Sequence, residues 1–143
     1  MRISSLCGRA NIDIFAIRPF ENVEGELTPL ESRLQKAQEW MDIVRVIGCT
    51  TLQVPGTFPQ GVDGHKKYIV GDENVIVAEL RAFAELGSRQ HPPIDIASEA
   101  LSSGLHVADW EESLWVNPVN TPNLGLCINT YHVLGRVCSE PRD

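Results

Sequence analysis

Residues 123–133 read NLGLCINTYHV. Leu124, Leu126, Cys127 and Ile128 form a short apolar run with the pattern of a strand buried on both faces, and the run breaks at once into Asn129, Thr130, Tyr131 and His132. An apolar strand with a polar C-terminal end is the mark of a parallel α/β sheet, where ligands sit beyond the carboxyl ends of the strands. Here that end offers a neutral Asn and a His, with no carboxylate to hold a cation. What chemistry such a strand end supports is the question the rest of the chain has to answer.

Upstream, Asn11–Ile17 (NIDIFAI) alternates and is β-branched, which predicts a strand. After a polar loop carrying Pro19 and Gly25, a helix is predicted from Thr28 as N-cap, with Pro29 at the first helical position and Glu31 completing a capping box. Leu30, Leu34, Ala37, Met41 and Val44 make one apolar stripe, and Gly48 is a C-terminal cap. TTLQVPGTF follows as a strand that Pro55 and Gly56 stop, then a loop with Pro59, Gly61 and Gly64. Asp72 caps a second helix that Gly87 ends, and a third strand runs from Ile94 to about Ala97, with Glu99 just past its end. A short helix starts at Asp109 with Glu112 as capping partner and is cut off by Pro118; VLGRV begins another after the final strand. The order β-α-β-α-β-α-β, with connections too long for hairpins, predicts one parallel α/β domain over residues 1–143.

The chain is 43% hydrophobic and 22% charged, typical of a folded domain. Its net charge of -7, from 12 Lys+Arg against 19 Asp+Glu, contains no basic cluster, which argues against nucleic acid and anionic membranes as partners. No stretch approaches the roughly 18 apolar residues of a membrane span. Cys7, Cys49, Cys127 and Cys138 have no C-x-x-C spacing and read as reduced, structural thiols. With no apolar h-region in MRISSLCGRANIDIF, a cytoplasmic location is expected.

In a parallel sheet all C-terminal strand ends share one side. This rule collects Arg18, Gln53 and Thr57, Glu99, and Asn129 with His132 as the candidate site. A carboxylate just past IDIAS is costly to bury without a partner, and a cation is a natural one; the alternative is that Glu99 opens a solvated loop. His132 is either a catalytic group or a plain helix-start histidine. His65, His91 and His106 show no H-x-x-x-H or H-x-H pairing, so a histidine-built zinc site is not supported. G-x-G-x-x-G, G-x-x-x-x-G-K-[ST] and G-x-S-x-G are all absent, which removes the simplest nucleotide-binding and triad-hydrolase readings. Trp40, Trp110 and Trp115 are expected to pack helices on the sheet.

Five collinear phrases carry a family resemblance: Pro19-Phe20 with Glu24-Gly25, IGCTTLQVPGTF at 47–58, PPIDIASEAL at 92–101, PNLGLCINTYH at 122–132 and GRVCSEP at 135–141. Together they resemble the xylose-isomerase-like TIM barrels and, more narrowly, the fungal 3-dehydroshikimate dehydratases. The resemblance implies βα units forming about half of a (β/α)8 barrel, against the roughly 250 residues of a whole one. It also implies a divalent metal (Mg2+, Mn2+ or Co2+) that polarises a substrate ketone while a neighbouring proton is removed and water is lost, giving protocatechuate. By position Glu99 matches the first metal-binding carboxylate, and Asn129 stands where the family has an Asp. His132 matches a position near the reacting centre; Arg18 and Gln53, collected by the strand-end rule, are the candidate substrate-binding residues. The pocket departs further at Asp95, Ser98, Ser103 and Gly56-Thr57, where Arg, Tyr, Trp and Ser-Asn are expected.

Three functions follow. The first is a metal-dependent dehydratase or related sugar-phosphate isomerase or epimerase, acting on a small polyhydroxylated carbonyl or carboxylate substrate. It would be completed by a second copy or a complementing half-barrel, because a half-barrel exposes two sheet edges and an apolar inner face. The second is a truncated, non-catalytic remnant or interaction protein on the same scaffold. The third is a self-standing flavodoxin-like sheet that binds a small ligand at its strand ends.

Overall fold

The computed structural model describes residues 3–57, 72–102 and 116–139. The loop of Pro59, Gly61 and Gly64, the helix start at Asp109 and Glu112, and residues His65, Ser103, His106, Trp110 and Trp115 lie outside them. In chain order the elements are α1 (Ile3–Arg9), α2 (Leu30–Ile47), β1 (Thr51–Pro55), α3 (Glu73–Ser88), β2 (Asp95–Glu99), α4 (Val116–Val119), β3 (Leu124–Cys127) and α5 (Thr130–Ser139). The strands form a parallel sheet in the order β1-β2-β3. α2 packs against β1, α3 against β2 and α4 against β3, so the helices stand side by side on the sheet as in a segment of a barrel wall. No described helix is long and apolar enough to cross a membrane.

The predicted stripe of α2 does its work: Ala37, Met41 and Val44 are fully buried, and Leu30 and Leu34 pack at the margin. Gly48 caps the helix in the left-handed region at φ 88°, its N–H bonding Val44 O. The expected capping box does not form. The helix begins at Leu30 with Pro29 as its N-cap and no side-chain cap. The buried Arg33 takes the carbonyl of Thr28 through Nε at 2.9 Å, and this sets how the chain enters the helix.

Asp72 caps α3 as expected, accepting the N–H of Asn74 at 2.9 Å. Ile76, Leu80, Phe83 and Ala84 then face the core, where Phe20 lies between Phe83 and Trp40. Gly87 does not end the helix, which runs on to Ser88. Its role is close approach: a Cβ there would sit 2.6 Å from Ile94 O and 3.1 Å from Asn123 Nδ2. The buried Asn123 fastens the same junction, donating to Ala84 O and Ile94 O at 2.8 and 3.0 Å. No hydrophobic pattern marks Asn123 in the sequence.

Three expectations about strands need correction. The predicted first strand, 11–17, shrinks to one parallel bridge, Ile17 to Leu52. Continuing that register backward would set Phe15 against Thr50 and Asp13 against Gly48, which is already bent into the helix cap, so the ladder has nothing to pair with; Phe15 is 84% exposed. The second concerns β3, which is the sheet's edge among the described residues rather than a strand buried on both faces. Leu124 is buried, but Leu126 is exposed and Ile128, just past the strand, is 71% exposed. The third is the inner face. Alternation sends Leu52, Val54, Ile96 and Leu124 into the helix-covered core, and sends Gln53, Ala97, Glu99, Gly125 and Cys127 to the other side. That side is small and polar, not apolar. Pro118, expected to cut a helix short, lies inside the short α4, where first-turn N–H groups have no helical partner anyway.

Candidate functional site

The site begins with register. β1, β2 and β3 pair so that Pro55, Glu99 and Cys127 lie abreast at the C-terminal edge of the sheet, with Gln53 two residues behind Pro55 on the same face. Glu99 is the last residue of β2 and only 3% exposed. It is not the opening acid of a solvated loop.

Two neutral amides hold that buried carboxylate. Gln53 Nε2 donates to Oε2 at 2.5 Å, and Asn129 Nδ2 donates to Oε1 at 2.8 Å. Asn129 is also the N-cap of α5, its Oδ1 accepting the N–H of Tyr131 at 3.0 Å. The cap therefore fixes which way the amide faces: oxygen to the helix, nitrogen to Glu99. The Asn at the end of NLGLCIN supplies a donor where an acidic residue would have supplied an acceptor.

His132, in the first turn of α5, turns its Nδ1 to Ser102, 3.3 Å from the backbone N and 3.2 Å from Oγ. A backbone N–H can only donate, so Nδ1 is the acceptor and the ring proton sits on Nε2. Arg18 is exposed, and its positive charge is felt at the Cys127 thiol. Burial pushes that thiol's pKa up, the negative Glu99 pushes it further, and Arg18 opposes them. A thiol in that setting is not an activated nucleophile. Cys7, Cys49 and Cys127 are free. Clefts of about 310 Å³ lie elsewhere, one beside Phe20 and Lys36 and one along Thr51, Asp95 and Gly125; neither includes Glu99.

Thr57 does not join the site. It is buried behind it, its N–H on Glu24 Oε1 and its hydroxyl on Glu24 O, both at 2.6 Å. Glu24 is fully buried, and its Oε2 has no hydrogen-bond partner. Desolvation raises its pKa from 4.5 to about 7, helped by the charge of Glu79 and opposed by the bonds to Thr57. Sequence reasoning registered Glu24 only as part of the resemblance. It missed Ser102 as the partner of His132 altogether, and neither residue belongs to a periodic pattern.

A divalent cation does not fit the donor set as it stands. Both Glu99 oxygens face N–H donors, the Asn129 oxygen is committed to the helix cap, and His132 Nδ1 is committed to Ser102. Among the described residues no three His, Cys, Asp or Glu side chains gather to hold a metal ion.

No family model matches the chain. A 3-dehydroshikimate dehydratase of Neurospora crassa is 27% identical over 143 residues, covering 97% of this chain and 38% of its own length. The chain thus spans well under half of that relative. A xylose isomerase-like TIM barrel/4-hydroxyphenylpyruvate dioxygenase fusion protein superposes with a TM-score of 0.79 at 27% identity, over 92% of this chain and 20% of its own. The IolI protein, solved with a zinc atom, gives 0.72 at 16% identity, over 93% and 48%. The probable 3-DHS dehydratase AsbF of Bacillus anthracis also gives 0.72, at 12% identity over 94% and 46%. The last two are alike in fold alone. The sheet and its helices are therefore similar in fold to a portion of the xylose isomerase-like TIM barrels, and the sequence is similar to a portion of a 3-dehydroshikimate dehydratase.

Proposed function

We propose that this chain forms one wall of the active site of a dehydratase-type lyase whose substrate is a small polyhydroxylated carbonyl compound of the 3-dehydroshikimate kind. The observation that carries the proposal is the buried Glu99 between Gln53 and Asn129 at the carboxyl end of the central strand, in a chain aligned over 97% of its length with a dehydratase. In the reaction a C–H bond beside the ketone breaks, a ring hydroxyl leaves with a proton as water, and the ring becomes aromatic.

The chain's own residues have limited, definite parts. His132, holding its proton on Nε2, donates a hydrogen bond to the substrate carbonyl and stabilises the charge that develops there as the neighbouring C–H proton is lost. Arg18 is the exposed cation at the same sheet edge and suits a substrate carboxylate. Gln53, which the strand-end rule places at the substrate side, donates to Glu99 and so positions that carboxylate. Among the described residues, Leu126 and Ile128 are exposed at the β3 edge and Ile12 and Phe15 are exposed ahead of β1, and further barrel strands from a second copy or a complementing segment would cover them.

The amide clamp favours a second reading, in which the scaffold binds such a compound without turning it over. One assay separates the two. The full chain is incubated with 3-dehydroshikimate and the aromatic product is followed by ultraviolet absorbance. Turnover that falls 100-fold or more in His132→Gln supports the lyase. Binding by calorimetry with no product supports the second reading.

A further inference from the structure

We infer that Gln53 and Asn129 replace a cation at Glu99, so that this cluster is metal-independent and either amide, exchanged for a carboxylate, would make it metal-dependent. The inference stands on the clamp and not on lyase turnover. Cation–oxygen distances are about 2.0–2.6 Å for the hard divalent ions. An ion that close to either Glu99 oxygen along its present bond would occupy the place of the amide hydrogen of Gln53 or Asn129. Those N–H dipoles present positive ends to the carboxylate, which is what a cation would otherwise supply.

Nor can Asn129 turn over to become a ligand at small cost. A flip of its amide sets NH2 against the N–H of Tyr131 and oxygen against oxygen at Glu99, so a donor–donor and an acceptor–acceptor clash replace two good hydrogen bonds. The helix cap thereby locks the pocket's chemistry. Aspartate is as good an N-cap as asparagine, so Asn129→Asp keeps the bond to Tyr131 and changes one thing only. It turns the donor facing Glu99 into an acceptor. Two carboxylates then meet at a buried strand end and need a cation or a proton between them.

The test is thermal melting and calorimetric titration with Mn2+ alone, on the full chain and on Asn129→Asp, Gln53→Glu and Glu99→Gln. Expected is a melting temperature of the natural chain that does not respond to Mn2+ or to chelator. Asn129→Asp melts lower than the natural chain in chelator and gains on the order of 10 °C at Mn2+ about 100-fold above its Kd. Gln53→Glu, which converts the other arm of the clamp, serves if Asn129→Asp fails to fold and should show the same metal-dependent gain. Saturable Mn2+ stabilisation of the natural chain that disappears in Glu99→Gln would overturn the inference. So would folded Asn129→Asp and Gln53→Glu proteins that both ignore the metal. Dehydroshikimate assays are unaffected by this outcome, since a metal-independent cluster with turnover and one without remain distinguishable by product.

Discussion

The buried carboxylates on the two sides of the sheet are satisfied in opposite ways. On the helix side, Glu79 of α3 meets Arg33 of α2 in a two-pronged ion pair, Oε1 to Nη2 at 2.5 Å and Oε2 to Nη1 at 3.0 Å, and also accepts Gly25 N–H at 2.7 Å. Arg33 also donates to Val23 O and Thr28 O. One guanidinium thus ties α2, α3 and the 23–28 loop together. On the pocket side, Glu99 is met, among the described residues, by the amides of Gln53 and Asn129 and by no cationic side chain. Charge pairing marks the side that must not move. Neutral clamping marks the side left open to a ligand, because an amide can be exchanged for a substrate hydroxyl without stranding a buried ion.

The largest expected break in this contrast is Arg33→Met. It leaves Glu79 buried and unpaired and should lower stability by about 3–5 kcal/mol in urea denaturation. Adding Glu79→Leu should restore most of the loss, since the pair rather than either charge is what the interior tolerates. A double variant no better than Arg33→Met would mean that the bonds to Val23 and Thr28, not the ion pair, carry the effect.

Glu24 sharpens the comparison as a third case, with no cation and only one of its oxygens satisfied. Its pKa is raised from 4.5 to about 7, so the folded state holds a proton more tightly than the unfolded chain. Folding therefore loses stability through this group as pH rises from about 4.5 to about 7, and the loss is complete above that. The full span corresponds to about 3 kcal/mol. Measured at pH 5 and pH 8, Glu24→Gln should gain on the natural chain at the higher pH by an amount of that order. A constant difference would place Glu24 in contact with water.

How far the sequence showed this contrast depends on locality. The helices were legible because their signals are local: the stripe from Leu30 to Val44, Gly48 as cap and Asp72 as N-cap. The strand ends of β1 to β3, and with them Gln53, Glu99, Asn129 and His132, were legible from one rule about parallel sheets. The failures were non-local. Whether 11–17 forms a ladder depends on where Gly48 bends the neighbouring chain, and whether β3 is buried depends on what lies beside it. The Arg33–Glu79 pair spans 46 positions and leaves no trace in either helix's pattern. Asn129 lies beside Glu99, but its orientation comes from a cap on a helix whose start at Thr130 the sequence did not mark.

Within the pocket, Gln53→Leu should cost about 1–3 kcal/mol by leaving Glu99 Oε2 without its donor. That is less than the loss of Arg33, because Asn129 still holds the other oxygen. A loss as large as that of Arg33→Met would mean that Gln53 does for the sheet what Arg33 does for the helices.

The smallest effect separates the two duties of Asn129. Serine at this position keeps an oxygen for the N–H of Tyr131 but is too short to reach Glu99; alanine keeps neither. The difference between Asn129→Ser and Asn129→Ala should therefore be the cap alone, about 1 kcal/mol. The difference between the natural chain and Asn129→Ser should be the clamp arm, about 1–3 kcal/mol. If serine and alanine are equally destabilising, the cap contributes nothing measurable, and the bond to Tyr131 is not what keeps the amide nitrogen turned toward Glu99. The orientation would then rest on Glu99 itself, and a cation strong enough to compete for that carboxylate could turn the amide over.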